Sequence, residues 1–393
     1  MLAAGWFLAA GELWDTSVPA DLARPTLDES DYFTATQYDE AHDYQAFLRI
    51  TDLLGILAGL AALAFFALKG ASFARESAAG RIGTGMLLGM LALGCAWLAQ
   101  LPFGLAAHWW ERRHDVVAQD QDYVDFLIND FLSVGGEFLF ISLGLLIVMT
   151  LAGIWRDFWW FAAAPALLIV MLAFAFVSPY LIPGLDPLRN ERVAADARAL
   201  ASAEGVSDAP VQVQRVRELT SAPNAGVTGI GPSEKVIVWD TLLGQFERPE
   251  IRVVLAHEFG HLGRQHVWKL VAWTALLALP IAFAVWLATR RHGGLSEPAA
   301  VPIAVFVVAA LLFLVSPLDH AFTQRLETEA DWIALEETRD PDAVTRLFQR
   351  FSTIALAEPR PPGWAGLLLD DHPAVMERIE MAEAWRASRG FTD

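Results

Sequence analysis

His257-Glu258-Phe259-Gly260-His261 reads His-Glu-x-x-His. On an α-helix, residues four apart lie on one face, so the two imidazoles can point at one metal ion. Glu258 then stands beside that ion, placed to take a proton from a bound water. Only three positions are fixed, and at this chain's His and Glu frequencies roughly one chain in a hundred would carry the pattern by accident. The competing reading is a surface helix with two ordinary histidines. The flanks favour a helix that carries chemistry. Pro249-Glu250 opens it with an acidic residue in the first turn. Ile251, Val254, Leu255 and Phe259 form an apolar face. Gly260 costs about 1 kcal/mol relative to Ala inside a helix, and its small size invites close approach by another backbone or a substrate.

A catalytic zinc site needs a third protein ligand and an open fourth position. Arg325-Leu326-Glu327-Thr328-Glu329-Ala330-Asp331-Trp332 offers one. Glu327 and Asp331 are four apart and share a helix face. Glu327 completes a His, His, Glu set for one Zn2+ per chain. Asp331 can accept the spare N–H of a ligating imidazole, fixing its tautomer and raising its basicity. Glu329 points elsewhere on such a helix and is the second choice. Read alone, the stretch is a solvated acidic helix, since Glu336 and Glu337 follow. Its pairing with the His motif favours the ligand reading. His266 lies five residues past His261, off the ligand face, and receives no role.

HEFGH followed by ETEAD resembles the integral-membrane zinc metalloproteases that include the type I CAAX prenyl endopeptidases and the HtpX proteases. In that family the first Glu of the later ExxxD is the third ligand. Pro223-Asn224-Ala225-Gly226-Val227-Thr228-Gly229-Ile230, then Lys235 to Leu243, is also similar to the family. There an Asn-Ala-x segment and an edge strand precede the zinc helix and hold the substrate backbone. Asp371-His372-Pro373-Ala374-Val375-Met376-Glu377-Arg378-Ile379 resembles the family's His-Pro-x-x-x-x-Arg-Ile close. The resemblance runs from about residue 40 to the C-terminus, and the spacing of spans suits the prenyl-endopeptidase branch better. It implies that His372 is a second oxyanion donor and that Asn224 grips the substrate backbone. The plainer alternatives are a helix-start residue before Pro373 and a turn residue between Pro223 and Gly226. The family often has Ser-Arg ahead of the ligand Glu; here Thr323-Gln324 stands there, with Arg325 adjacent.

Composition points to a membrane. Apolar residues make up 55% of the chain, with 15 Trp and a mean hydropathy of +0.38, well above an ordinary soluble domain. Six stretches are long enough to cross a bilayer: 50–68, 82–101, 138–154, 158–177, 270–288 and 299–315. Trp97, Trp109, Trp110, Trp155, Trp159 and Trp160 lie near their ends, as interfacial belts do. Residues 2–14 are apolar but short, with Glu12 interrupting, and lack the marks of a signal peptide. They read as a short or tilted seventh span, with an interfacial helix as the competing view.

The expected fold is therefore predominantly α: a multi-pass membrane protein with a gluzincin-like zinc protease domain assembled from two chain segments and a small β-sheet. Residues 1–177 form membrane helices with acidic loops. Residues 178–266 form a first catalytic segment, 267–315 a membrane hairpin, and 316–393 a second catalytic segment bearing Glu327. For Glu327 to reach the metal, the hairpin must fold back. Residues 190–204 read as an amphipathic helix. Residues 211–219 and 235–239 read as strands.

A net charge of −18 argues against a nucleic-acid partner. The acidity is concentrated in loops; between residues 101 and 138 lie Glu111, Asp115, Asp120, Asp122, Asp125, Asp130 and Glu137, against Arg112 and Arg113. It reads as a solvated face, or else as a rim that favours basic peptides. His108 and His114 in the same region read as solvent contacts, and Lys269 as a residue that snorkels. Two arguments on orientation oppose each other. Lys69, Arg75, Arg81, Arg156, Arg290 and Arg291 lie opposite the catalytic pieces and mark that side cytoplasmic. The resemblance implies a catalytic side that faces the cytosol, so the face stays open.

The expected activity is an integral-membrane zinc endopeptidase acting on membrane-associated, membrane-inserted or lipidated peptides or proteins. Zinc on His257, His261 and Glu327 would lower the pKa of a water to about 7. Glu258 would take its proton and pass it to the leaving amine. The alternative is a non-catalytic or sensory membrane protein that retains a zinc-binding fold.

Overall fold

The computed structural model describes residues 2–70, 79–118 and 121–390. Arg75, Asp120 and the Glu137 side chain lie outside the described residues. The first helix, α1 (Leu2–Leu13), has 12 residues. At 1.5 Å per residue these reach about 18 Å, short of the roughly 30 Å of a bilayer's hydrocarbon. Just past it, Trp14 packs 6.0 Å from Trp273 and 5.7 Å from Phe322, centroid to centroid.

Four long helices follow: α2 (Ala35–Lys69), α3 (Gly80–Arg113), α4 (Tyr123–Ile154) and α5 (Trp159–Val177). Their starts are written in the sequence. Thr34 and Gln37 form a reciprocal cap on α2. Asp122 caps α4 by accepting from Val124 N (2.7 Å) and Asp125 N (3.0 Å). Several of the acidic residues above thus have local structural work. Asp130 accepts from Trp97 Nε1 at 2.7 Å. His108 is not a solvent contact: it lies buried in α3, stacked 4.7 Å from Phe126. A Cβ at Gly89 would strike Leu145, so α3 and α4 cross with little between their backbones. Phe65, Leu68, Leu139, Phe161 and Ile169 stay exposed on the outer faces, where lipid would cover them.

The chain then leaves the bundle through β1 (Leu185–Pro187), α6 (Glu191–Ala203), β2 (Val211–Gln214), β3 (Ala225–Thr228), β4 (Lys235–Trp239), α7 (Asp240–Gln245) and α8 (Arg248–Gly263). The sheet order is β1-β2-β4-β3. The β2–β4 pair is parallel and the other two are antiparallel. The resemblance assigns the edge next to the zinc helix to the 235–243 stretch; the structure gives that edge to β3. Val236, Ile237 and Val238 are all buried, so this β-branched run fits an interior strand. Ala-Gly-Val-Thr, whose first two residues are poor strand formers, takes the edge, registered with Ala225 opposite Val238. The 211–219 strand is also shorter than expected, ending at Gln214.

A hairpin of α9 (His266–Thr289) and α10 (Val301–Thr338) re-enters the bundle. Among the described residues, six helices are long and apolar enough to cross a membrane, and the protein is an integral, multi-pass membrane protein. α10 does not stop at residue 315. It continues for 38 residues with Pro317 inside it, about 57 Å at helical rise. Its apolar half lies among the spans, and its polar half enters a second core with α11 (Pro341–Ile354), α12 (Gly363–Leu368) and α13 (Val375–Ser388). That core is built on Phe259, Leu255, Trp332, Leu335, Phe348 and Trp385.

Residues 15–34, assigned by sequence to the membrane part, cross this core as a strap. Leu22, Leu27, Tyr32 and Phe33 pack on it. Arg360 bridges Glu29 (2.9 Å) and Glu380 (2.8 Å).

Candidate active site

The site is made where α8 crosses α10. Gly260 sets the approach: a Cβ there would lie 3.2 Å from Ile333 Cγ2 and 3.6 Å from Ala330 Cα. The neighbour that Gly260 admits is therefore the helix carrying Glu327. His257 Nε2 and His261 Nε2 lie 3.0 Å apart. His257 Nε2 is 3.2 Å from Glu327 Oε2, and His261 Nε2 is 3.4 Å from Glu327 Oε1. Tetrahedral zinc with bonds of about 2.0–2.1 Å has donor-to-donor edges of about 3.3 Å. The three side chains fit such an ion. Glu327 Oε2 is buried without a hydrogen bond of good geometry, although imidazole nitrogens flank it. These atoms converge on a common point. Among the described residues they form the one cluster of this kind.

Partners hold the outer side of each imidazole. His257 Nδ1 lies 2.9 Å from Asp331 Oδ1. Asp331 is gripped by Arg378, whose Nε donates to Oδ2 at 2.7 Å and whose guanidinium lies 4.2 Å over Phe348. His261 Nδ1 lies 2.9 Å from His266 Nδ1, and His266 Nε2 lies 3.0 Å from Glu329 Oε2. By sequence, His266 has no role, Glu329 is only the second-choice ligand, and Arg378 stands only within the His-Pro-x-x-x-x-Arg-Ile resemblance; the structure places all three behind the ligands. His266 was excluded by counting helical rotation from His261, but the helix is broken. Gln265 sits at φ 55°, ψ 39° between α8 and α9, and this left-handed residue redirects the chain. The usable signal was Gly263 followed by an apolar run from Val267. Lys269, expected to snorkel, instead donates to Glu329 Oε2 at 3.0 Å.

Burial sets the electrostatics. Glu258 is 6% exposed, and loss of water pushes its carboxyl up to about 7. Burial alone would lower His257; the hydrogen bonds to Asp331 and Glu327 overcome it and raise the imidazole to about 10. Burial pulls His261 down to about 3, against the pull of Glu327. In the metal-free site the two carboxylates thus favour a second ring proton on His257.

His372 reaches the cluster, with Nε2 3.4 Å from Glu327 Oε2 and Nδ1 2.6 Å from Asp371 Oδ1. Desolvation opposes its charge, but the Asp371 hydrogen bond leaves its pKa raised. The loop bearing it is tied down by Gln324, whose Nε2 donates to Gly366 O and Asp370 O, both at 2.8 Å. Gln324 thus occupies the family's Arg position as an anchor. Arg325 turns away to Trp14 O. Arg49 on α2 pairs with Glu358, on the separate loop that leads into α12. Asn224 is exposed at the start of β3, its Oδ1 accepting from Ala225 N at 2.8 Å. β3 packs beside α8, the helix that carries His257 and His261.

The model of peptidase family M48 matches residues 187–386. A relative in Bacillus subtilis (strain 168), the "Uncharacterized metalloprotease YhfN", is 28% identical over 239 residues, 57% of this chain and 56% of that protein. The "CAAX prenyl protease 1 homolog" of Dictyostelium discoideum is 25% identical, covering 54% of this chain and 52% of its own. The chain spans about half the length of these curated relatives. The crystal structure of S. mikatae Ste24p shares the fold, with a TM-score of 0.73 at 16% identity, covering 97% of this chain and 96% of that one. With its zinc-fitting cluster inside the matched region, the chain belongs to peptidase family M48.

Proposed function

We propose that the protein is a zinc-dependent endopeptidase that cuts membrane-associated peptides or proteins. The observation that carries this reading is the convergence of His257, His261 and Glu327 within 4.8 Å of one another, beside a buried carboxylate whose pKa is about 7. When bound there, zinc supplies Lewis acidity that polarises a carbonyl and acidifies a water. Glu258 takes the proton of the attacking water and returns it to the leaving amine; a pKa near 7 suits both steps. His372 donates to the developing oxyanion, with Asp371 holding its Nδ1. Asn224 and the free edge of β3 bind the substrate main chain as an added strand.

A group poised to exchange protons argues against a site that only binds metal. Placement supports a membrane-associated substrate. α9 begins directly after α8, and Glu327 lies on the same helix as the last span, so the cluster sits close to the lipid. Relatives named CAAX prenyl protease 1 support the narrower version, a lipidated C-terminal peptide. The test is Glu258→Ala in detergent-purified protein incubated with a peptide pool. Zinc content should match the parent and cleavage should fall by about 100- to 10,000-fold. A variant that cuts as the parent does would remove Glu258 from the mechanism.

A further inference from the structure

The two histidines of the cluster are supported unequally. His257 meets a carboxylate directly, whereas His261 meets a second histidine. We propose that His266, Glu329 and the Ser17 backbone form a positioning chain that fixes the tautomer and orientation of His261 for metal binding. The inference rests on the metal-site reading above.

His261 Nε2 faces the cluster, so as a ligand its remaining proton is on Nδ1. His266 Nδ1, 2.9 Å away, must then be the acceptor. The His266 proton consequently sits on Nε2 and is donated to Glu329 Oε2 at 3.0 Å. Glu329 is kept an acceptor by two further donors: Lys269 Nζ at 3.0 Å on Oε2 and Ser17 N at 2.6 Å on Oε1. His266 and Glu329 are 1% and 2% exposed, so the relay is shielded from water that would randomise it.

The outer end of the relay is the strap. Lys269 Nζ also donates to Asp15 O at 3.2 Å, and Arg325 donates to Trp14 O. Residues 14–17 are thus held by α9 and α10 at the point where they touch Glu329. A segment more than 200 residues upstream of the zinc helix thereby contributes to the geometry of one ligand.

The test uses the full chain in detergent, stripped of metal and titrated with zinc against a fluorescent chelator, with the visible spectrum of the cobalt-loaded protein as a reporter of ligand geometry. His266→Ala and Glu329→Gln should each weaken zinc by about 10- to 100-fold and alter the cobalt bands. His266→Asn keeps an acceptor oxygen near the Nδ1 position and should recover most of the loss. Ser17→Pro deletes the outermost N–H together with the Ser17 hydroxyl, which also bonds Glu329, and should cost at least about 2- to 10-fold, the range one hydrogen bond is worth. Parent-like zinc affinity in His266→Ala and Glu329→Gln overturns the proposal while leaving the metal site intact. So does weakening that Asn fails to rescue and that tracks a lower melting temperature of the metal-free protein. Failure of the parent itself to bind zinc would overturn the site reading as well.

Discussion

Gly260→Ala sets two effects against each other at the helix crossing. Alanine in place of glycine gains about 1 kcal/mol of helix propensity. Its Cβ would lie 3.2 Å from Ile333 Cγ2 and 3.3 Å from Ile333 Cβ, where carbon atoms prefer about 3.5–4.0 Å. Relief needs roughly half an ångström of separation, and overpacking of this kind costs about 1–3 kcal/mol. The net change in stability is then a loss of about 0–2 kcal/mol. The change at the cluster is larger, because α8 carries two of the proposed ligands and α10 the third. A 1 Å misplacement can cost a catalytic site about 100-fold, so half of that predicts about tenfold weaker zinc binding. The assay is chelator competition alongside thermal unfolding of the metal-free protein. Unchanged zinc affinity with higher stability would show that Ile333 yields without moving α10, refuting the claim that this glycine sets the ligand spacing.

Zinc affinity should rise with pH. Asp331 and Glu327 keep a proton on His257 up to about 10 in the metal-free site, and zinc must displace it. One proton released per ion means about tenfold tighter binding per pH unit, measurable by competition between about pH 6 and pH 8; a flat profile would remove His257 from the ligand set. Arg378→Met leaves Asp331 buried without its cation. It should destabilise the protein by about 3–5 kcal/mol and weaken zinc, whereas Arg389→Met at an exposed pair should leave the melting temperature nearly unchanged. Gln324→Ala removes two hydrogen bonds, each worth about 1 kcal/mol, from the loop that carries His372. Peptidase kcat/KM should fall while zinc affinity stays put; a drop in zinc affinity instead would mean the loop props the ligands.

Legibility in the sequence followed how local each feature is. The His257–His261 pair was readable because four residues on one helix fix a face. The six spans were readable because long apolar runs are their own signal. The sheet was half readable: β4 announced itself by Val236, Ile237 and Val238, but β3 is a weak strand that exists because β4 pairs with it. The length of α10 was hidden by Pro317, which reads as a stop in water and is carried within the helix here. The support for His261 was hidden by one backbone angle at Gln265, which no periodicity reports. The strap was invisible in another way. Its contacts with Glu329, Glu380 and Gln349 each join residues over 300 positions apart, where pattern reading has no reach.

The continuity of α10 from the lipid to Glu327 has a consequence for how the protein is made. A growing chain presents His257 and His261 first, and with only two ligands they hold zinc poorly. Glu327 follows 66 residues after His261, at the far end of the last helix to enter the membrane. At about 5–20 residues per second of synthesis, the interval is on the order of ten seconds. The proposed cutting centre therefore cannot close until the hairpin is inserted and folded back. Assembly of the membrane part thus acts as the arming step, and an unfinished chain stays harmless to the machinery that is building it.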